Sequence, residues 1–267
     1  MKTLTQITFL AALGLFAQNA FAEITAEQAA SLGGDEFTPV GAERAGNEAG
    51  TIPAWTGGLT ELPAGYVEGE PLVDPFPDEE PLFTITAQNY EQYADNLSPG
   101  QIALLKRYPD TYRMPVYTTH RTALYAESVS ATFPDDALTA KTTDGGNGLA
   151  NVDSYLPFPF PNSGIEVIWN HVLRFRGGSV RRTYTQIPVQ ANGNFSPVVF
   201  DDQLTFANYM DEPADNRLFY YKQSIKAPAR LEGNVLLVHE NINQVAEPRA
   251  AWVYNAGQRR VRRAPDV

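Results

Sequence analysis

The chain has 267 residues, no cysteine and a formal net charge of −11. Without cysteine there can be no disulfide, no thiolate metal site and no cysteine nucleophile. An apolar core must therefore hold the fold, and 43% hydrophobic with 11% aromatic residues is enough to build one. The negative balance excludes a protein built to wrap nucleic acid, where binding rests on neutralising phosphates.

Lys2, an apolar run from Ile7 to Phe16 and the small-residue site Ala20-Phe21-Ala22 form a secretory signal peptide. Cleavage after Ala22 would leave Glu23 as the first residue and, with Lys2 gone, a charge of −12. The compact apolar region fits bacterial export to the periplasm, with release to the medium as the alternative. No later stretch is apolar for long enough to cross a membrane as a helix.

From residue 23 to 81 the chain is acidic and rich in Gly and Pro, and Arg44 is its only basic residue. It has no sustained periodicity. Trp55, Tyr66 and Phe76 need surfaces to pack on, which favours irregular but packed coil; a disordered leader is the other reading. Residues 82–267 are expected to form one domain.

Thr86 can cap a helix over Ala87–Asn96. Ser98-Pro99 is a cap followed by proline at the first helical position, opening a helix over Pro99–Arg107 that Pro109 stops. Met114–Tyr117 reads as a short strand and Thr122–Phe133 as a weak helix or strand. Asp144-Gly145-Gly146-Asn147-Gly148 is a flexible turn. In Tyr155-Leu156-Pro157-Phe158-Pro159-Phe160-Pro161, aromatics alternate with proline; proline cannot donate to a sheet, so this is an extended strap. A helix over Ile165–Arg176 then carries Ile165, Ile168, Trp169, Val172 and Phe175 at steps of three and four.

Beyond Gly177-Gly178 the pattern becomes β. Strands are expected at Ser179–Val189, Phe195–Phe200, Arg217–Ile225 and Val235–Asn241. A terminal hairpin folds around Asn255-Ala256-Gly257, with Trp252 and Tyr254 on one arm and Arg259, Arg260, Arg262 and Arg263 around Val261 on the other. Side chains alternate along a strand, so Val261 shares a face with Arg259 and Arg263, while Arg260 and Arg262 face away. The fold class is α+β: helices on one side of an antiparallel meander that curves around an apolar face.

No G-x-S-x-G, P-loop, H-E-x-x-H or G-x-G-x-x-G motif is present. His120, His171 and His239 lack ligand spacing, and Asp144, Asn147, Asn151 and Asp153 depart from an EF-hand loop. Asp135-Asp136, Asp201-Asp202 and Glu79-Glu80 read as solvated acids in turns. No metal, cofactor or catalytic residue is assigned. The arginine hairpin either binds an anionic partner or pairs with acids across the strands. Tyr184, Phe219, Tyr221, Trp252 and Tyr254, with Trp169 and Val172 of the helix above them, either fill a core or line a pocket for a hydrophobic ligand.

Tyr112-Arg113-Met114-Pro115, Phe158-Pro159-Phe160-Pro161, Ile168-Trp169-Asn170-His171 and Trp252 through Arg263 resemble an uncharacterised family of Gram-negative secreted proteins. That family is commonly grouped with outer-membrane lipoprotein-sorting (Lol-type) proteins. The resemblance implies a half-open antiparallel barrel lidded by helices and a non-catalytic carrier of a lipid, a lipoprotein acyl chain or another hydrophobic molecule. It also implies that the chain is the N-terminal part of a longer whole, with the sheet incomplete at its C-terminus. Relatives associate with envelope transporters, so the alternative is an accessory module docking on such a transporter or on an outer-membrane protein.

Overall fold

A computed structural model describes residues 24–152 and 155–264. The signal-peptide reading of residues 1–22 lies outside the described residues, as does Asp153 of the loop considered for calcium.

The N-terminal stretch holds one helix, α1 (Ala26–Ala30), closed by a capping box between Thr25 and Gln28. Irregular coil follows, and it is tied to the rest of the chain. Phe37 meets Phe160 edge-on at 5.1 Å, and Phe76 stacks on His120 at 3.7 Å. Trp55 donates its indole N–H to the Ala123 carbonyl at 3.1 Å. Arg121 donates to four carbonyls of this coil, those of Glu43, Arg44, Ala45 and Pro53.

Strand β1 (Phe83–Ile85) pairs antiparallel with β2 (Met114–Val116). Sequence reading found β2 but not β1, which has too few residues for an alternation to show. The helix expected over Ala87–Asn96 is a 3₁₀ segment, Tyr90–Asn96. Thr86 does not cap it; instead the Asn89 side chain accepts from the Thr86 backbone N–H at 2.7 Å. Helix α2 (Pro99–Arg107) begins with the Ser98 cap and keeps Leu105 fully buried. The weak element expected over Thr122–Phe133 is coil as far as Ala126, then α3 (Glu127–Ser130). Helix α4 (Phe133–Thr139) follows, and α1 packs on it. The Gly-rich turn joins β3 (Lys141–Thr143) to β4 (Gly148–Ala150) as a small hairpin.

Helix α5 (Gly164–Leu173) starts at Ser163, whose hydroxyl accepts from the Glu166 N–H. It is held at two points. Trp169 donates to the Gly146 carbonyl at 2.9 Å, and Asn170 grips the Phe158 backbone in both directions at 3.0 and 2.7 Å. The proline strap cannot supply a ladder of its own, so this side-chain amide takes the place of one.

Six strands make one antiparallel meander: β5 (Ser179–Gln186), β6 (Val198–Phe206), β7 (Arg217–Ala227), β8 (Val235–Asn241), β9 (Ala250–Asn255) and β10 (Arg260–Arg263). Register breaks at Val199/Phe200 and Arg217/Phe219 add local bends. β5 and β10 form the two edges, with no closure between them among the described residues. The last turn is Ala256–Arg259 rather than Asn-Ala-Gly, with Arg259 in the left-handed region (φ 51°). The main core lies where α5 and the strap meet one end of the sheet: Leu149, Phe158, Trp169, Leu173, Leu204, Phe206 and Leu218.

Candidate functional site

Register sorts the side chains of the sheet into two faces, because residues directly opposite in an antiparallel pair share a face. One face carries Arg182 and Tyr184 of β5, Phe200, Asp202 and Leu204 of β6, Phe219 and Tyr221 of β7, and Val238 and Glu240 of β8. Helix α5 covers only the end of this face nearest Phe206. Trp169 and Leu173 go down into the core, whereas Ile165 and Ile168 stay 42% and 56% exposed.

The uncovered part is a trough made of two adjoining hollows. The first, about 590 Å³, is walled by Tyr184, Leu204, Phe219, Tyr221 and Val238. The second, about 540 Å³, lies under α5 against Ile165, Ile168, Val172 and Leu218. Both include Leu204, Phe219, Glu240 and Arg249, so the trough is continuous along the sheet. Each hollow is within the range of about 300–1,000 Å³ usual for small-molecule sites.

Charged groups sit in this apolar setting as pairs. Arg182 donates two parallel N–H bonds to Asp202, whose carboxylate is almost fully buried. Arg249 donates to Glu240 at 2.5 Å, and the Gln244 amide donates to the other Glu240 oxygen. A polar chain extends from Asp202: the Tyr221 hydroxyl donates to it at 3.2 Å, and Gln223 donates to the hydroxyls of Tyr221 and Tyr184. Burial first, then the Tyr184 hydroxyl and the Asp202 charge, push the Tyr221 phenol above its ordinary range. The hydrogen bond to Asp202 holds the Arg182 guanidinium protonated more firmly than usual.

Of the residues singled out from sequence, the trough brings together Trp169, Val172, Tyr184, Phe219 and Tyr221. Trp252 and Tyr254 are not among them. Trp252 pairs with Leu237 and Tyr254 with Val235, on the opposite face, and Val253 alternates between them on the trough side. Trp252 packs edge-on against His239, and His239 against Tyr220, both at 4.8 Å. Burial, and then the Arg217 charge, lower the His239 pKa from its ordinary value.

The arginine hairpin is exposed throughout β10. Arg262 donates to Gln258 at 3.0 Å. Among the described residues, no acid pairs with Arg259, Arg260 or Arg262, and Val261 rather than an acid lies opposite Tyr254.

Sequence reading missed Asp202, Glu240, Arg182 and Arg249. Adjacent acids such as Asp201-Asp202 and Asp135-Asp136 are expected from sequence in solvated turns. The structure puts the first pair in mid-β6 and buries Asp202; it buries Asp136 in α4. Arg181-Arg182 on the preceding strand was the available signal. Two basic residues on one strand and two acids on the next, in a hairpin, predict cross-strand pairs on both faces, and the Arg181–Asp201 pair does form on the far side at 2.7 Å.

A further hollow of about 500 Å³ lies between the N-terminal coil and residues 120–125. Its one guanidinium, Arg121, is already committed to the coil carbonyls. Among the described residues, no group of His, Asp or Glu is arranged to hold a metal ion, and no helix is long and apolar enough to cross a membrane.

No solved structure matches the chain. It is 54% identical over 265 residues to Uncharacterized protein PA3922 of Pseudomonas aeruginosa. The alignment covers 97% of this chain and 58% of that protein, so the chain spans less than two thirds of its relative's length. Residues 84–267, from β1 through the arginine hairpin, match the family described as protein of unknown function (DUF1329), and the chain belongs to that family.

Proposed function

We propose that this protein is a non-catalytic periplasmic carrier of a hydrophobic or amphipathic molecule, with the trough between α5 and the sheet as its binding site. The observation that carries this reading is the incomplete meeting of the two layers. Leu204, at the margin of the core, and Phe219 and Val238 beyond it form an apolar wall open to the hollow, and Ile165 and Ile168 of α5 stand exposed beside it. A methylene group leaving water for such a wall gains about 0.8 kcal/mol, so a chain of ten carbons outweighs the ordering costs of binding. The meander with one end lidded by α5 also suits the half-open barrel of Lol-type carriers. We extend the same role to the longer relative.

The test is to express the chain with its own leader and recover it from the periplasm. The N-terminus should be Glu23, and native mass spectrometry followed by organic extraction should release a bound lipid or other apolar molecule. A protein that is consistently empty, and that takes up no fluorescent fatty acid, would overturn the carrier reading.

A second reading has its own observation. Arg259, Arg260 and Arg262 are exposed at a sheet edge without acidic partners among the described residues, and a sheet edge is a docking surface. Reversing Arg260 and Arg262 to Glu should then reduce recovery of an envelope transporter or outer-membrane protein in cross-linked pull-downs. Unchanged recovery removes the hairpin from any docking role.

A further inference from the structure

The lining of the trough is not neutral. Four arginines, Arg174, Arg176, Arg182 and Arg249, face two carboxylates, Asp202 and Glu240, each already paired with one of them. Arg174 and Arg176 therefore have no acidic partner among the described residues. This excess of positive charge occurs in a chain whose overall charge is −11. The two residues follow directly on α5, where Arg174 is the C-terminal cap, so the end of the helix delivers both to the mouth of the trough. Arg174 spends one N–H on the His171 carbonyl, and its other donors have no partner among the described residues. Arg176 lies over the Phe206 ring at 5.2 Å, where the core meets the end of the trough.

Resting on the carrier reading above, we propose that the trough takes a single-chain amphiphile with an anionic head, the head against Arg174, Arg176 and Arg182 and the tail along Leu204, Phe219 and Val238. Arg174 and Arg176 line one hollow and Arg182 the adjoining one, and of these three only Arg182 has its charge offset, by Asp202. An anionic group placed among them offsets the remaining charge through charge-assisted hydrogen bonds. Burial, and after it the neighbouring charges of Arg174 and Arg182, already push the Arg176 guanidinium down from its ordinary pKa. A free inorganic anion would use the head site alone and leave both hollows unfilled. A neutral alkyl chain would fill the hollows and leave the arginines uncompensated. An acidic head on a chain satisfies both parts of the lining.

The experiment uses the delipidated chain and calorimetric titration with n-decyl phosphate, n-decanol and inorganic phosphate, each below self-association. The double variant Arg174→Gln/Arg176→Gln is tested beside it. Neither residue is in the buried core, and circular dichroism checks that the variant is folded. The expected result is that decyl phosphate binds roughly tenfold or more tightly than decanol, in line with charge-assisted hydrogen bonds. Inorganic phosphate gives no measurable heat, and the double variant brings decyl phosphate down to the level of decanol. If decanol and decyl phosphate bind alike and the variant changes neither, the head site is overturned while the carrier reading stands. If inorganic phosphate binds as tightly as decyl phosphate, the site serves a free anion and the amphiphile is overturned. If neither alkyl compound binds, the carrier reading fails and takes this inference with it.

Discussion

Arg182 and Asp202 face each other across β5 and β6, joined by two hydrogen bonds of 2.9 and 3.0 Å, yet they live in different environments. The guanidinium side chain is 52% exposed and the carboxylate 1%. The arginine thus acts as the solvated cover of a buried negative charge. Removing the cover leaves an uncompensated carboxylate beside Leu204 and Tyr221. Arg182→Ala should cost about 2–4 kcal/mol in urea unfolding, toward the low end of buried-pair losses because water can reach the vacated side. Asp202→Asn should cost less, since a neutral amide keeps part of the hydrogen bonding to Tyr221. The double variant should recover at least about 1 kcal/mol relative to the sum of the single losses, the sign of direct coupling.

This pair also marks how far sequence reasoning reached. The order of strands β5 to β9 was legible because runs rich in β-branched and aromatic residues follow one another at short spacing with turn residues between them. Helices α2 and α5 were legible from Ser98-Pro99 and from the spacing of Ile165, Ile168, Trp169 and Val172. Strand β1 and the β3–β4 hairpin were not, since three residues show no period and their pairing is set by tertiary contacts. Assigning side chains to faces needed the register itself. Trp252 and Tyr254 are two apart and Val253 lies between them, so one position of slip decides which of them meets the trough. Sequence supplied the aromatic set but not that parity. The hydrophobic stripe on α5 is legible as a stripe, but its depth of burial is not: only Trp169 and Leu173 of the helix are buried, because the helix covers the sheet at one end alone.

Arg121 holds the N-terminal coil by four carbonyls, with its closest contact to Glu43 at 2.7 Å. A planar guanidinium spreads five N–H donors over a rigid fork, whereas an ammonium offers three from a single nitrogen. Arg121→Lys should therefore loosen the segment around residues 43–55 without disturbing the meander. Hydrogen exchange should show faster exchange at Arg44 and Trp55, whose N–H groups are otherwise bonded within the coil or to it, with strands β6–β8 unchanged. A global loss of protection would instead make Arg121 part of the main folding unit.

His239 lies between Tyr220 and Trp252, and its pKa in the fold is below the ordinary 6.5. Burial is the main cause; Arg217 adds to it, and Glu247 opposes it. The sign follows from linkage. The unfolded chain binds a proton at this site at a higher pH than the folded chain does, so His239 contributes stability that is complete above pH 6.5. That contribution is lost as pH falls through 6.5 toward the folded value. Melting temperatures between pH 7.5 and 5.5 should fall more steeply for the natural protein than for His239→Gln. Parallel slopes would mean that the imidazole titrates in the fold as it does in the unfolded chain.

Val238 and Trp252 lie on opposite faces of the sheet, and this separates binding from stability. Val238 lines the trough, opposite Tyr221 in register and next to open space. Val238→Trp should fill part of the hollow at little cost, because the added rings enter a vacancy rather than a packed core. The melting temperature should hold or rise, while affinity for an alkyl ligand falls by roughly tenfold or more. Trp252→Ala should do the reverse. The half-buried indole packs on His239, so its loss should cost about 1–3 kcal/mol, less than for a fully buried Trp. Alkyl affinity should stay within about twofold of the natural protein, since no trough atom is removed. If Trp252→Ala abolishes binding with the fold intact, the ligand lies on the aromatic face and the trough is not the site.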